Sequence, residues 1–368
     1  MIDTEAWLVS ESDADFQLAR VTLDHLRPDE VLVELTASGI CHMDIEAKQL
    51  VPLPAVLGHE GVGVIKEVGR DVGILKVGDR VIMTYAACGH CHKCTSNQPY
   101  HCVDTWDITF SGRREDGTPT AFVDGEPISA AFFQQSSFGR LAITPARGLV
   151  KVDDSEAMDD VTLAALPCGI LTGAGIVACQ FGFSGGESIA IFGAGAVGLS
   201  AVMAAKKLGA ESIVAIDVKE ERLTLARQLG ATDVFNPTDP NNDLAKFQVA
   251  YASGFDFVID TTGNSRAFGS CIEALATAGR MAVCILPAPM EDFVFKPFEW
   301  WTKAAKLEAV SFGEADAKTF LPKLIEWHQA GEFPVELLMK VYPYEELNAA
   351  ISDSLNGDTI KAVLDFRT

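Results

Sequence analysis

Near the start of the chain, hydrophobic and polar positions alternate. Ala6-Trp7-Leu8-Val9, Phe16 to Leu23 and Glu30 to Thr36 read as strands, the last with Val31, Val33 and Leu35 on one face. Alternation of this kind predicts a partly solvated antiparallel sheet. Gly39-Ile40-Cys41-His42-Met43-Asp44 then leads into a short helical segment, and Val62 to Val68 and Gly78 to Ile82 are further strands separated by turn glycines. From Trp106 to Phe138 the chain reads as irregular, with a polar turn from Ser111 to Gly117 and an aromatic cluster at Phe132, Phe133 and Phe138. Asp153 to Asp160 is an acidic turn leading towards a helix.

Around Ser188 the period changes. Ser188 to Phe192 is a short apolar strand, followed by Gly193-Ala194-Gly195-Ala196-Val197-Gly198 and a small-residue helix to Leu208. Strands at Ser212 to Asp217, Phe255 to Asp260, Arg280 to Ile285 and Leu307 to Phe312 follow, with helical segments such as Lys219 to Leu229 and Ser265 to Ala276 between them. Such alternation predicts a parallel, doubly wound sheet. Helices at Thr319 to Ala330 and Tyr344 to Leu355 precede a last strand, Ile360 to Phe366.

Composition narrows the partners. Fifty-one acidic side chains against twenty-nine basic ones give a net charge of −22. That argues against nucleic acid or an anionic membrane as partner, because phosphate binding needs a basic face. The longest mainly apolar run, Ile189 to Ala205, approaches membrane length, but its spaced glycines suit a soluble strand-turn-helix better. No basic-then-apolar leader opens the chain, so a cytoplasmic protein is expected. In that compartment the nine cysteines point to metal or catalysis before disulfides.

Cys88, Cys91, Cys94 and Cys102 follow one another as C-x2-C-x2-C-x7-C, close enough for one loop to wrap a soft divalent ion. Four thiolates close the coordination sphere, so this lobe (88–102) reads as a structural zinc site, with an iron site or two disulfides as rivals. The interleaved His90, His92 and His101 read as solvated loop residues. Gly193, Gly195 and Gly198 sit directly after a strand and open a helix, the setting a dinucleotide turn requires. Ala196 and Val197 begin that helix, whose free N–H groups face a pyrophosphate, and Asp217 at the end of the next strand would take the ribose hydroxyls and select NAD.

Of the other cysteines, Cys179, Cys271 and Cys284 lie in apolar segments and read as small core residues. Cys41 and Cys168 remain. With His59, in Gly58-His59-Glu60-Gly61-Val62-Gly63, they match the ligand set of a zinc that keeps one position open, though their spacing alone does not select them.

Taken together, these stretches resemble the zinc-dependent medium-chain alcohol dehydrogenases over essentially the whole chain. The matches are Gly39-Ile40-Cys41, Gly58-His59-Glu60-x-x-Gly63, Gly78-Asp79-Arg80-Val81, the four-cysteine lobe, Cys168 with Thr172-Gly173, and the glycine turn with Asp217. Phe110-Ser111-Gly112-Arg113-Arg114-x-Asp116-Gly117, Phe132-Phe133-x-Gln135-Ser136-Ser137-Phe138 and Asp353-Ser354-x-x-Gly357-x-x-Ile360-Lys361 look most like the aryl, benzyl-type members. The resemblance implies a GroES-like catalytic domain from both chain ends (1–169 and 314–368) around a Rossmann NAD-binding domain (170–313). It implies two zinc ions, with Cys41, His59 and Cys168 as ligands of the reactive one and Glu60 as an outer or transient fourth. Asp44 would orient His59, His42 and Lys361 would meet the pyrophosphate, and Thr172 would back the nicotinamide.

The implied reaction is hydride transfer between a primary aryl or allylic alcohol and NAD, giving the aldehyde. One position departs from the pattern. Met43 stands where the family has a Ser or Thr that starts a proton relay, and Glu46 where it sometimes has His. His42, Glu46, Glu60 or water would then carry the proton. Met43 also leaves room for reduction of a conjugated carbonyl with NAD(P)H, or for a catalytically silent NAD-binding protein. Tyr85, Trp106, Phe132, Phe133 and the pair Trp300-Trp301 are candidates for an aromatic substrate pocket. Family members are homodimers or homotetramers, and the strand near Val310 is a candidate contact between copies.

Overall fold

The computed structural model describes residues 1–153, 158–240, 249–285 and 297–367. Along the chain, its strands begin with β1 (Ile2–Val9), β2 (Gln17–Leu23), β3 (Glu30–Gly39), β4 (Ala55–Val56), β5 (Gly61–Val68) and β6 (Arg80–Met83). Next come β7 (Ala121–Val123), β8 (Glu126–Ile128), β9 (Leu141–Pro145), β10 (Leu149–Lys151), β11 (Ser188–Phe192) and β12 (Ser212–Ile216). The rest are β13 (Asp233–Phe235), β14 (Phe255–Asp260), β15 (Leu275–Val283), β16 (Lys306–Ala309), β17 (Met339–Pro343) and β18 (Lys361–Asp365). Residues 154–157, within the acidic turn expected at Asp153 to Asp160, lie outside the described residues. The chain divides into two compact units. One comprises Met1–Cys168, Asp316–Gln329 and Val335–Thr368; the other comprises Gly169–Ala315 and Ala330–Pro334.

The first unit is built on β3. A seven-stranded sheet runs β10-β6-β5-β3-β18-β17, with β9 also paired to β3. The alternation in β3 predicts one solvated face, yet Val31, Leu32, Val33 and Leu35 are all buried. The reason is position: β3 pairs with β5, β9 and β18, and the helix Asp160–Ala164 packs across β3 and β5. Alternation survives better in β1 and β2, whose outer side carries the Arg20–Asp3 ion pair at 2.6 Å. A second, five-stranded sheet runs β4-β1-β2-β7-β8.

The stretch from Trp106 to Phe138, expected to be irregular, contains a helix (Thr105–Phe110) and the β7–β8 hairpin. Its turn is Asp124-Gly125, both at positive φ (52° and 85°). An Asp-Gly pair suits a two-residue turn of this hand. Strands of three residues are too short to show a period, which is why the hairpin escapes a pattern reading.

Arg114, in the polar turn, is buried and fully engaged. It donates two hydrogen bonds to Glu30 (2.7 and 3.0 Å), one to Asp24 (2.8 Å) and others to the carbonyls of Pro119 and His25. This ties the turn to the first residue of β3.

In the second unit six parallel strands run β13-β12-β11-β14-β15-β16. Chain order reverses between β11 and β14, and ligands of such sheets bind beyond the strand ends at that reversal. Phe255, Val258, Phe268, Ile272 and Met281 fill the space against the neighbouring helix. β16 forms one edge; it stops at Ala309, short of the expected Phe312, where the backbone turns through positive φ at Phe312 and Gly313.

Replacing Arg114 by Met would leave Glu30 buried without its counter-charge. The expected cost is about 3–5 kcal/mol of unfolding free energy, read as a lower urea midpoint. Arg114→Lys keeps the charge but loses the paired geometry and should fall between Met and the native residue.

Candidate metal centre and nucleotide turn

Cys41 ends the extended segment after β3 and precedes the short helix His42–Glu46. Asp44, one turn on, is fully buried and uses both carboxylate oxygens. Oδ2 accepts the Cys41 backbone N–H at 2.8 Å, and Oδ1 accepts Nδ1–H of His59 at 2.7 Å. With Nδ1 so engaged, Nε2 of His59 points at Cys168, 3.3 Å from its sulfur. Cys168 lies in a π-helical turn, Leu166–Ile170, and its Sγ is 4.0 Å from that of Cys41.

The backbone at His59 is shaped by Gly58, at φ 89°, where a Cβ would run into Phe138. Glu60 follows, wholly buried. One of its oxygens pairs with the Lys361 ammonium, which also reaches the Ile40 carbonyl at 3.3 Å; the other, Oε1, has no hydrogen-bond partner among the described residues. One ligand atom from each of Cys41, His59, Glu60 and Cys168 lies within 4.8 Å of the others.

A tetrahedral zinc with Zn–S near 2.3 Å and Zn–N near 2.05 Å separates two sulfurs by about 3.8 Å and a sulfur from a nitrogen by about 3.6 Å. The separations here, 4.0 and 3.3 Å, fit such an ion, and the orphan oxygen of Glu60 offers a further donor. The electrostatics agree. Burial opposes charge on His59, but the Asp44 carboxylate and Cys41 outweigh it and lift the imidazole to about 10. The hydrogen bond from Cys168 holds the Cys41 thiol well below its ordinary range despite burial, and the donor, Cys168, is pushed well above. Burial raises Glu60 to about 7 while Lys361 pulls it down. Protons here stand where a divalent cation would bind, and a cation displaces them.

The four-cysteine lobe is a separate cluster. Cys88 Sγ and Cys94 Sγ are 3.9 Å apart, and Cys88 Sγ and Cys102 Sγ accept the backbone N–H groups of Cys91 and Cys88 at 3.2 Å. The four sulfurs gather within 4.8 Å, all as free thiols. Backbone donors to sulfur stabilise thiolates, as a closed metal lobe needs. His90 is exposed, 3.6 Å from Glu115.

In the second unit β11 runs into Gly193 (φ 96°), and the chain passes through Ala194 and Gly195 into the helix Ala196–Lys207. Nothing lies within 4 Å of where a Cβ on Gly195 would be, whereas one on Gly198 would strike the Gly193 carbonyl. Asp217 accepts the N–H of Ala194 at 2.6 Å and that of Lys219 at 2.9 Å, so its carboxylate stands on the glycine turn. Thr172 is buried in the helix Leu171–Gly175.

Several expected residues lie elsewhere than the sequence suggests. Lys361, expected to meet a pyrophosphate, is buried against Glu60, because the carboxylate needs a counter-charge there. Trp106 does not line an enclosed pocket: it is 64% exposed, on the outer side of a helix that turns Ile108 and Thr109 inward. Tyr85 is buried, and its hydroxyl accepts the Ala317 N–H at 3.4 Å. Trp301 is exposed, while Trp300 packs against the core of the second unit. Cys179 is exposed and Cys284 half-buried, so of the three cysteines read as core only Cys271 is. Phe132 and Phe133 do meet His59, with ring centroids 5.5 Å (edge-on) and 4.5 Å (stacked) from the imidazole. His42 is exposed at the helix start.

Comparison with known proteins gives two family matches: "Alcohol dehydrogenase GroES-like domain" over residues 27–154 and "Zinc-binding dehydrogenase" over residues 196–327. Geraniol dehydrogenase of Castellaniella defragrans is 35% identical, covering 99% of this chain and 98% of its own. Two crystal structures each cover 99% of both chains. An alcohol dehydrogenase zinc-binding domain protein from Burkholderia ambifaria has a TM-score of 0.94 at 36% identity. Benzyl alcohol dehydrogenase from Acinetobacter calcoaceticus has a TM-score of 0.93 at 35% identity. No described helix is long and apolar enough to cross a membrane.

Asp44→Asn keeps the shape but removes the charge that orients His59. It should weaken zinc retention by roughly 10- to 100-fold at one site only. Zinc counted per chain after graded chelation would show one ion lost early and the other held as in the native protein.

Proposed function

Given that the chain belongs to the zinc-containing medium-chain alcohol dehydrogenases, we propose that it interconverts a primary aryl or allylic alcohol and its aldehyde with NAD. The observation that carries this reading is the Cys41–His59–Cys168 cluster, with its buried imidazole and an aromatic ring stacked on it. In this reading Cys41, His59 and Cys168 hold the reactive zinc, Glu60 is its outer carboxylate, and Cys88, Cys91, Cys94 and Cys102 hold the structural one. When bound, zinc supplies a Lewis acid for the substrate oxygen and the nicotinamide takes the hydride.

The chain's own groups then divide the remaining work. Asp44 fixes the imidazole so that Nε2 faces the metal position. Asp217, on the glycine turn, favours a ribose with free hydroxyls and repels a 2′-phosphate. Phe132 and Phe133 offer flat apolar surfaces beside His59, suited to a conjugated or aromatic alcohol. Similarity to a geraniol and a benzyl alcohol dehydrogenase supports the same substrate class.

The hydroxyl proton still needs an exit. Met43 cannot relay it, and Glu60 is engaged by Lys361. His42, exposed and adjacent to Cys41, is the group we assign to pass it to solvent. Met43 is also the residue that favours the second reading, reduction of a conjugated carbonyl. We further assign the unit 169–315 to the nucleotide, the other unit to both metals, and the assembly to a homodimer or homotetramer.

NADH formation with benzyl or cinnamyl alcohol is the deciding assay. Cinnamaldehyde with NADH, followed by product identification, separates cinnamyl alcohol from a saturated aldehyde, and absence of turnover with either would sink the enzyme reading. Met43→Thr restores a hydroxyl at the relay position and should speed alcohol oxidation by about 10-fold or more if proton exit limits the rate.

A further inference from the structure

Gln135 is 1% exposed, and its side-chain amide makes hydrogen bonds only to backbone. Oε1 accepts the N–H of Gly61 at 3.2 Å; Nε2 donates to the carbonyls of His59 at 2.9 Å and Thr84 at 3.0 Å. In an extended strand the carbonyl of one residue and the N–H two residues on point the same way. The Gln135 amide therefore takes the place of the N–H and C=O that one residue of a neighbouring strand would offer, just before β5 begins. Its third bond reaches the residue after β6, the strand that pairs with β5 through Val62 and Ile82. One side chain thus extends the β5–β6 ladder by a rung, and that rung contains the backbone of His59.

The loop that delivers this amide is held in an unfavourable conformation. Phe133, Gln134 and Ser136 have φ of 51°, 58° and 49°, the left-handed region that non-glycine residues seldom adopt. It is secured at both ends. Ser136 Oγ accepts the Phe132 N–H at 3.0 Å and donates to the Val56 carbonyl at 2.6 Å, and Ser137 Oγ is 2.7 Å from Ser38 Oγ. The N–H groups of Ser137 and Phe138 reach the carbonyls of Gly58 and Leu57 at 2.9 and 3.0 Å. The same backbone path that aims Gln135 at the peptide of His59 lays the ring of Phe133 on its imidazole.

We propose that Gln135 is a positioning residue for the metal ligand His59, bracing its backbone through an amide that stands in for a missing strand, with the strained 132–137 loop as its mount. The inference rests on His59 being a ligand of the reactive zinc. Only an amide of this length serves. Leu fills the space but leaves three backbone groups unpaired, Glu has no hydrogen to donate to two carbonyls, and Asn is one carbon short.

The test uses the full-length zinc-loaded protein and reads zinc release to a chromogenic chelator at fixed pH, together with the visible spectrum of the cobalt-exchanged protein. A Cys41→Ser control first identifies the release phase belonging to the Cys41–His59–Cys168 site; if that variant loses neither phase, the metal assignment itself fails. Gln135→Leu is expected to accelerate this phase by about 10-fold or more, to shift the cobalt bands, and to leave the four-cysteine phase at its native rate. Gln135→Asn, a milder change, carries the same readouts should the Leu variant not fold. Native release and an unchanged cobalt spectrum in the folded variant, with only its melting temperature lowered, would overturn the proposal and leave Gln135 as a packing residue.

Discussion

A single buried carboxylate sets the geometry of the candidate metal centre. Asp44 grips the backbone of Cys41 with one oxygen and the imidazole of His59 with the other, so two candidate ligands from separate segments are registered by one rigid group. Hydrogen bonds to a charged group are worth about 1.5–3 kcal/mol each, and the carboxylate that accepts both is fully buried, where a lost partner would be costly. Around this fixed pair the rest is fitted. The π-helical turn brings in Cys168, β18 brings in Lys361 to balance Glu60, and the 132–137 loop closes over the far side of the histidine.

The two cysteine-bearing centres are built on opposite principles. The lobe is local: its thiols fall within one short stretch of chain, which donates its own N–H groups to the sulfurs. The other cluster is assembled from segments far apart in sequence, and no candidate ligand in it is adjacent to another except His59 and Glu60. A local site can tolerate motion of the surrounding fold, because its geometry travels with it. A distributed site depends on the sheet that holds its parts, which explains why buried, fully satisfied polar groups such as Arg114, Gln135 and Asp44 are concentrated in this unit.

Much of the parallel sheet is legible in the sequence, because continuous apolar strands and long helices give strong periods, and the glycine turn carries its own spacing. The four-cysteine lobe is equally plain. The antiparallel unit is less so. The alternation of β3 suggests a solvated face that its three strand partners remove, and the β7–β8 hairpin leaves only its Asp-Gly turn as a trace. Cys41, His59 and Cys168 emerge through likeness to a family, since nothing in their spacing brings them together. The roles of Gln135 and Lys361 depend on burial and partner, which no local pattern encodes. Conversely, an aromatic-rich stretch suggests a pocket lining at Trp106, and the side chain faces outward.

The place of β18 between β3 and β17 has a consequence for biosynthesis. The ribosome delivers Cys41, His59, Glu60 and Cys168 long before Lys361, and β3 gains its partner on that edge only once β18 is made. The parallel unit, which lies between these portions of the chain, can complete its sheet from residues already made. Until β18 is made, Glu60 lacks the ammonium that pairs with it, whereas the four cysteines of the lobe are already present.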